Sequence, residues 1–412
     1  MFPNFFALGR VLSSRLGLAY PIPYNLANEH LSLVDVQVIT TLESFLSLKK
    51  DWNDLVHESG MDSVFFRHEW FVCCWRRLEQ NCDPWILIVR KQNAIIAVAP
   101  LVIRKITLRG LPARAVGFLE NPDTPIADII IRENEPIGLE GIIDALVKNG
   151  HRWDLMLLQK MTGESKAISG LETVAKKNGL YFSSEPSGQR WMVKDAGTWE
   201  SYLNGKSARF RKTLRNVINR LEKLGTVSVE HHTHPDDLDR VLADAFTVSG
   251  KSWKTKLGLA ITNQRSVEEF FRSFSSLAME EGWLDLWVLK VDGNPVSMEY
   301  DLVYNGKVWA LRSDFDETMK NYSPGAYLNY FIAKHFLETG LLEYDMGLGA
   351  NEYKLRWANH FCPVTECHIY NSTIYGRSLF FLEERLIPAI RSIRQALRSV
   401  VGAGESKKLS DG

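Results

Sequence analysis

Apolar and polar positions recur in the same order twice along the chain. In the first half, Leu33–Ile39 alternates as a half-buried strand does, and residues 42–58 carry apolar side chains at helical spacing. A second helix is predicted from about Arg67 to Leu78. A strand at Trp85–Val89 and its partner Ala94–Ile103 follow, joined across Gln92-Asn93. Further strands fit Ala115–Leu119 and Ile126–Ile131, then a helix over 138–149, a strand at Trp153–Leu158 and a helix over 165–177.

The second half repeats this more clearly. Thr226–Glu230 reads as a strand and 236–248 as a helix. Val267, Phe270, Phe271, Phe274, Leu277 and Ala278 mark one face of the next helix, which stops at Gly282. Strands are predicted at Leu284–Val291, Val296–Tyr304 and Lys307–Arg312. The turns between them, Asp292-Gly293-Asn294 and Asn305-Gly306, tolerate positive φ. A helix then runs from Pro324 to about Glu338, with Ser323 before it and Gly340 just beyond its end. Leu342–Met346 is a strand, Glu352–Asn359 a short helix and Thr365–Tyr370 a last strand.

The shared order, with Trp85–Val89 echoing Trp287–Val291 and Trp153-Asp154-Leu155 echoing Tyr344-Asp345-Met346, predicts a duplicated α/β (α+β) chain. We expect a flexible leader over 1–30, a first domain over 31–188, a second over 189–375 and a helical or disordered tail over 376–412. The junction is expected at Glu185–Gly188, where Pro, Ser and Gly cluster.

At 412 residues the chain is long enough for two or three globular units. Its 49 Lys and Arg balance 49 Asp and Glu, which argues against a surface that coats nucleic acid or anionic lipid throughout. No window reaches the roughly 18 uncharged apolar residues of a membrane span. Five cysteines without a disulfide-like spacing suit a reducing cytoplasm, and none of the spacings is a zinc pattern. His231 and His232 would diverge along a strand, and the acids after His234, Asp236 and Asp237, read as a helix cap, so no metal is expected. Cys73 and Cys74 lack a basic partner for nucleophilic catalysis.

Two segments carry a resemblance. The first runs Ser313-Asp314-Phe315-Asp316, then Asn321-Tyr322-Ser323-Pro324-Gly325. The second runs Tyr344-Asp345-Met346-Gly347-Leu348-Gly349, then Glu352-Tyr353-Lys354 and Trp357. Together they resemble the bacterial GNAT-type acetyltransferases associated with cellulose and exopolysaccharide synthesis, the CelD-like group, relatives of the Fem-type aminoacyltransferases with paired GNAT domains. The resemblance implies two tandem GNAT-like (acyl-CoA N-acyltransferase) domains, mixed sheets flanked by helices, with acetyl-CoA or another acyl-CoA as co-substrate. The first domain would be a degenerate copy that walls the cleft. One departure stands out. Where many GNAT enzymes place Gln/Arg-x-x-Gly-x-Gly/Ala before the central helix, this chain has a single glycine and Pro324, which lacks an N–H.

Tyr322, Ser323, Gly325, Ala326 and Tyr327 surround the start of that helix. Its unpaired N–H groups suit a diphosphate, although an ordinary Ser-Pro cap would read the same. The strand at Leu311, Arg312 and Ser313 would line the thioester arm and offer a backbone N–H to its carbonyl. Asp345, at a strand's C-terminal end before Gly347 and Gly349, would accept the acceptor's proton, or merely cap the loop. Glu352 is a second candidate base. Tyr353 could return a proton to the thiolate, Lys354 could meet a phosphate or sugar carboxylate, and Trp357 shares a helix face with Tyr353. Arg312, Asp314 and Asp316 either line the acceptor cleft or are loop charges.

The helix over 206–224 has an apolar stripe of Phe210, Leu214, Val217, Leu221 and Leu224. Lys206, Arg209, Arg211, Lys212, Arg215, Arg220 and Lys223 stand against the single acid Glu222. It could receive tRNA, an acidic glycan, an anionic surface or the cofactor's phosphates. Three functions therefore stand at this point. One is acyl-CoA-dependent transfer to an amine or hydroxyl, possibly of a sugar in extracellular polysaccharide synthesis. The second is Fem-type transfer from aminoacyl-tRNA. The third is a catalytically silent module in a polysaccharide-synthesis assembly. The expected location is cytoplasmic, free or peripheral to the membrane.

Overall fold

A computed structural model describes residues 34–392 apart from Asp62 and Gln80. The expected leader over 1–30 and the end of the tail lie outside the described residues. The first half runs β1 (Val34–Ile39), helices α1 (Leu42–Leu46), α2 (Lys49–Glu58) and α3 (His68–Arg76), then strands β2 (Cys82–Pro84), β3 (Ile86–Lys91), β4 (Ala94–Ala99), β5 (Leu101–Leu108), β6 (Leu111–Phe118) and β7 (Ile130–Ile131). Helix α4 (Ile137–Lys148), β8 (Leu155–Thr162), α5 (Lys166–Lys177) and the long β9 (Tyr181–Lys194) follow. The second half continues with α6 (Trp199–Gly205), α7 (Ala208–Leu221), β10 (Val227–His232), α8 (Leu238–Lys251) and α9 (Arg265–Glu280). It ends with β11 (Leu284–Val291), β12 (Asn294–Tyr304), β13 (Lys307–Phe315), α10 (Pro324–Glu338), β14 (Glu343–Leu348), α11 (Glu352–Trp357), β15 (His360–Tyr370) and α12 (Ile374–Phe381).

Two sheets result. The smaller has the order β1-β3-β4-β7, and the larger β10-β11-β12-β13-β14-β9-β15-β8-β6-β5-β2. Each half contributes one parallel pair to the larger sheet, β6 with β8 and β13 with β14. The mixed α/β class and the repeated layout predicted from the pattern are therefore present.

The halves are not separate bodies joined at a linker. The expected junction at Glu185–Gly188 falls inside β9, which pairs along its length with β15. Strand β15, the last among the described residues, lies between β9 and the first half's β8. A single apolar core also spans both halves: Trp70 meets Phe274 edge-on at 4.8 Å, and Phe65 meets Trp309 at 5.0 Å. Proline and glycine at 186 and 188 suggested a linker, but an irregular register opposite Val364 and Thr365 accommodates them within a strand.

Other differences have local causes. The predicted strand Ala94–Ile103 breaks at Pro100, where the chain leaves the small sheet as β4 and enters the large one as β5. A proline cannot donate to a ladder, so it suits the crossing. The predicted helix over 42–58 divides at Ser47-Leu48, and only Ile130–Ile131 of Ile126–Ile131 is paired. Beyond residue 375 the chain still packs: Leu379 is buried, and Phe380 stacks on Tyr181 at 4.7 Å.

Candidate functional site

The site begins with a failure of pairing. Strands β13 and β14 run in parallel register at Lys307–Trp309 against Glu343–Asp345. Beyond that point β13 stays with β12 as far as Phe315, while β14 keeps the pairing with β9 that it makes from Glu343 onward and sets Leu348 opposite Arg190. The register of β12 with β13 shifts here too: Asp301 faces Ala310 and Tyr300 faces Arg312, so Leu311 is the extra residue of a bulge. A bulge leaves its extra residue out of the ladder and increases the local twist, both of which help two neighbours to part.

A cavity of about 610 Å³ opens in the gap. Leu311 and Ser313 line it from β13, and Gly347 from the end of β14. Ser323, Gly325, Ala326 and the buried Asn329 come from α10, and Glu352, Tyr353, Lys354 and Trp357 from α11. The first half supplies a wall, Pro122–Pro125. In the first half's own parallel pair, β6 with β8, the end of β8 is bridged instead. Ala127 N–H donates to Lys160 O at 3.1 Å, and a Cβ on Gly117 would stand 3.4 Å from Leu157 O.

At the mouth, Ser323 adopts a left-handed conformation (φ 56°, ψ 52°) that turns the chain into α10, with Pro324 at the first helical position. The N–H groups of Ala326 and Tyr327 both reach Ser323 O, which leaves Gly325 N–H as the first-turn donor able to face a ligand. Lys320 also lines the cavity. Three of the expected cofactor contacts point elsewhere. Tyr322 packs into the apolar core beneath α10. Tyr327 is buried, with its hydroxyl 3.4 Å from Glu222. Arg312 does not line the cavity itself: it pairs with Asp123 of the first-half wall at 2.7 Å and donates to Leu259 O at 2.9 Å.

Asp345 and Asp316 are likewise absent from the wall. Asp345 is sealed in the interior, where its carboxylate is ion-paired with Arg190 and accepts Gly347 N–H at 2.7 Å. Burial lifts its pKa above the usual carboxylate range, and the Arg190 guanidinium opposes that lift. Asp316 caps the turn over Glu317–Tyr322 by accepting Thr318 N–H at 2.9 Å. Gly349 (φ 91°) accompanies Gly347 (φ 79°) in the loop but does not reach the cavity.

The polar groups that do converge belong to α11. Lys354 is buried with Nζ 2.6 Å from Leu348 O, and desolvation pushes its pKa down to about 8. The Tyr353 phenol is held above its ordinary range by burial and by the carboxylates of Glu299, Asp301 and Asp314. Glu352 is exposed and paired with Arg356 at 2.8 Å. Beneath them, Glu299 accepts the Tyr344 hydroxyl, and burial raises the pKa values of both Glu299 and Asp301. Lys254, on the wall, pairs with Asp314 at 2.7 Å and donates to Ser313 O at 2.9 Å.

Sequence reasoning did not single out Arg190, Lys254, Glu299, Asp301 or the Pro122–Pro125 wall. Glu299 and Asp301 left a signal: acids alternating with Met298, Tyr300 and Leu302 in a strand buried on both faces. Arg190 left none, because β9 itself was read as a boundary.

The basic helix is present as α7, capped by Ser207, which accepts Phe210 N–H at 3.1 Å. Lys206, just before the helix, and Arg211, within it, are structural. Lys206 Nζ donates to Trp357 O at 2.6 Å, and Arg211 donates to Lys206 O at 2.6 Å. Arg209, Lys212, Arg215, Arg220 and Lys223 are exposed. His231 stacks on Trp287 at 3.8 Å and bonds Asp285, while His232 bonds Glu230 at 3.1 Å. Among the described residues, no group of three or more His, Cys, Asp or Glu could hold a metal, and no helix is long and apolar enough to cross a membrane.

Residues 208–355 match the family model described as an acetyltransferase (GNAT) domain. Among curated proteins, no match to the chain is found. Among solved structures, the chain is similar to FemX at 12% identity and a TM-score of 0.55, over 85% of this chain and all of that one. It also matches the C-terminal domain of a putative lysylphosphatidylglycerol synthetase from Agrobacterium fabrum (13% identity, TM-score 0.49, 82% of this chain and 95% of that one). A tandem GNAT protein from the clavulanic acid biosynthesis pathway matches at 11% identity and a TM-score of 0.45, over 81% of this chain and 98% of that one. The FemX likeness concerns the fold alone. The stretch that resembles an acetyltransferase (GNAT) domain, residues 208–355, includes the parted strands β13 and β14.

Proposed function

We propose that this chain transfers an acyl group, acetyl in the simplest case, directly from acyl-CoA to an amine or hydroxyl acceptor. The parting of β13 from β14 over the Leu311 bulge is the observation that carries this reading. An extended thioester arm can lie there as an additional strand, and a β13 N–H freed from the ladder can donate to its carbonyl oxygen. The Gly325 N–H and Lys320 would take the diphosphate.

The residues then divide the proton transfers. Lys354, with its pKa near 8, holds a fraction of neutral amine at physiological pH and accepts the proton of the attacking acceptor. The new bond to the carbonyl carbon forms as the carbon–sulfur bond breaks. Tyr353, protonated at physiological pH, is the hydroxyl on the cavity wall that supplies the proton to the leaving thiolate. Asp345 positions the Gly347 turn instead of acting as base, and the Pro122–Pro125 wall excludes water. The resemblance of the Tyr322–Gly325 and Asp345–Lys354 segments supports a sugar acceptor in extracellular polysaccharide synthesis, with the transfer itself in the cytoplasm.

The test is release of free CoA thiol from acetyl-CoA with a panel of amino sugars and sugar hydroxyls. It is paired with heat stabilisation by acetyl-CoA, which amounts to about 2.7 kcal/mol at a hundredfold excess over Kd. Absence of both at millimolar acetyl-CoA overturns the reading. The exposed cations of α7 favour a second reading, transfer from aminoacyl-tRNA. A salt-sensitive complex with charged tRNA, together with failure to bind acetyl-CoA, would establish it instead.

A further inference from the structure

A second cavity, of about 470 Å³, lies between α7, the start of α10 and α11. It is not separate from the cleft. Ala326, Glu352, Tyr353 and Trp357 line both, so the two spaces meet at the tip of α10. Its far wall is α7, which brings Arg209, Phe210 and Thr213 to it, and Arg356 enters from α11.

Two features of this space bear on a ligand. The first is charge. The α10 tip is a poor anion site by itself, because Pro324 has no N–H and the Ala326 and Tyr327 amides are already engaged. Arg209 is exposed and forms no ion pair among the described residues, while Arg356 is paired only with the exposed Glu352. The second is shape. Phe210 and Trp357 meet edge-on at 5.1 Å, and the Tyr353 ring is partly open to solvent beside them. Flat apolar surface next to guanidinium groups suits a purine carrying a phosphate monoester.

We infer that this second cavity holds the 3′-phosphorylated adenosine end of acyl-CoA, with Arg209 as the principal phosphate ligand and Arg356 as its neighbour. The inference rests on the acyl-CoA reading above and deepens it. The thioester arm occupies the cleft between β13 and β14, the diphosphate passes the α10 tip, and the nucleotide turns into the space beneath α7. A helix that precedes the β10–β15 layout thereby supplies charge that the single-glycine turn cannot. The bias of α7 toward Lys and Arg acquires a specific purpose at its first turn, whereas Lys212, Arg215, Arg220 and Lys223 lie farther along the helix.

The experiment uses the intact chain and calorimetric titration with two probes, CoA and 3′-dephospho-CoA. The result expected is that the wild-type protein binds CoA about tenfold or more tightly than dephospho-CoA, the size of one charge-assisted contact. Arg209→Ala is expected to weaken CoA by a similar factor while leaving dephospho-CoA nearly unchanged, and Lys223→Ala to leave both unchanged. The wild-type comparison needs no variant, so it stands even if Arg209→Ala folds poorly. Equal affinity for the two probes in the wild type, with no effect of Arg209→Ala, overturns this inference and leaves the acyl-CoA reading intact. No binding of either probe overturns both.

Discussion

Replacing Asp345 by Asn keeps the shape of the side chain and an acceptor for the Gly347 N–H, but removes the charge that faces Arg190. Both partners of that pair are buried, with Asp345 at 1% and Arg190 at 5% exposure. The substitution therefore leaves a guanidinium in the interior without its counter-ion. Breaking a buried pair from one side typically costs about 3–5 kcal/mol. Arg190 also lies over the Trp309 ring at 5.1 Å, a contact that survives the change and sets the expected loss toward the lower end of that range. Urea unfolding of Asp345→Asn and of the double variant Arg190→Met/Asp345→Leu provides the assay. The single variant should lose about 3 kcal/mol. The double variant should recover most of that, since an apolar pair of similar volume replaces a buried ion pair at little cost. If Asp345→Asn is as stable as the wild type while acyl transfer falls by roughly 10²–10⁴-fold, the carboxylate is a proton acceptor and the positioning role assigned to it is wrong.

Further outcomes follow from the same geometry. With Lys354 as base, kcat/KM should rise through a pH near 8, and Lys354→Met should abolish that limb. The folded pKa is below the ordinary 10.5, so the unfolded chain binds more protons between about pH 8 and 10.5, and Lys354 makes folding more favourable as pH rises across that window. Gly325→Leu should weaken acetyl-CoA at least about tenfold by blocking the mouth, with little change in melting temperature, because a Cβ there makes only ordinary contact with Phe315 at 3.6 Å. Arg312→Met should destabilise by about 3 kcal/mol by stranding Asp123, and should raise the acceptor KM by loosening the Pro122–Pro125 wall, measurable by unfolding and steady-state kinetics.

Much of the second half was legible because its signals are local. Glycine turns at 293 and 306, the phenylalanine face of α9 and the Ser-Pro start of α10 each fix an element without reference to distant chain. Ten of the residues singled out for the site share one cavity, since the segments that line it are contiguous stretches at the ends of β13, β14 and the starts of α10 and α11. What escaped depends on contacts far apart in sequence. Asp345 looked like a free carboxylate because Arg190, 155 positions away, belongs to a strand that Pro186 and Gly188 disguised. Arg312 looked like a cleft residue because the bulge at Leu311, which displaces the alternation by one position, is invisible without the register of β12. The wall from the first half was not foreseeable from periodicity, since Pro122–Pro125 is irregular chain in which neither period applies.

The central claim concerns the space between two strands, and a crystal structure of the protein with bound acetyl-CoA examines it without intermediaries. The account predicts the thioester between β13 and β14, its carbonyl oxygen within about 3 Å of a backbone N–H at the Leu311 bulge. A ligand bound anywhere else, with β13 and β14 zipped together past Trp309, would contradict it.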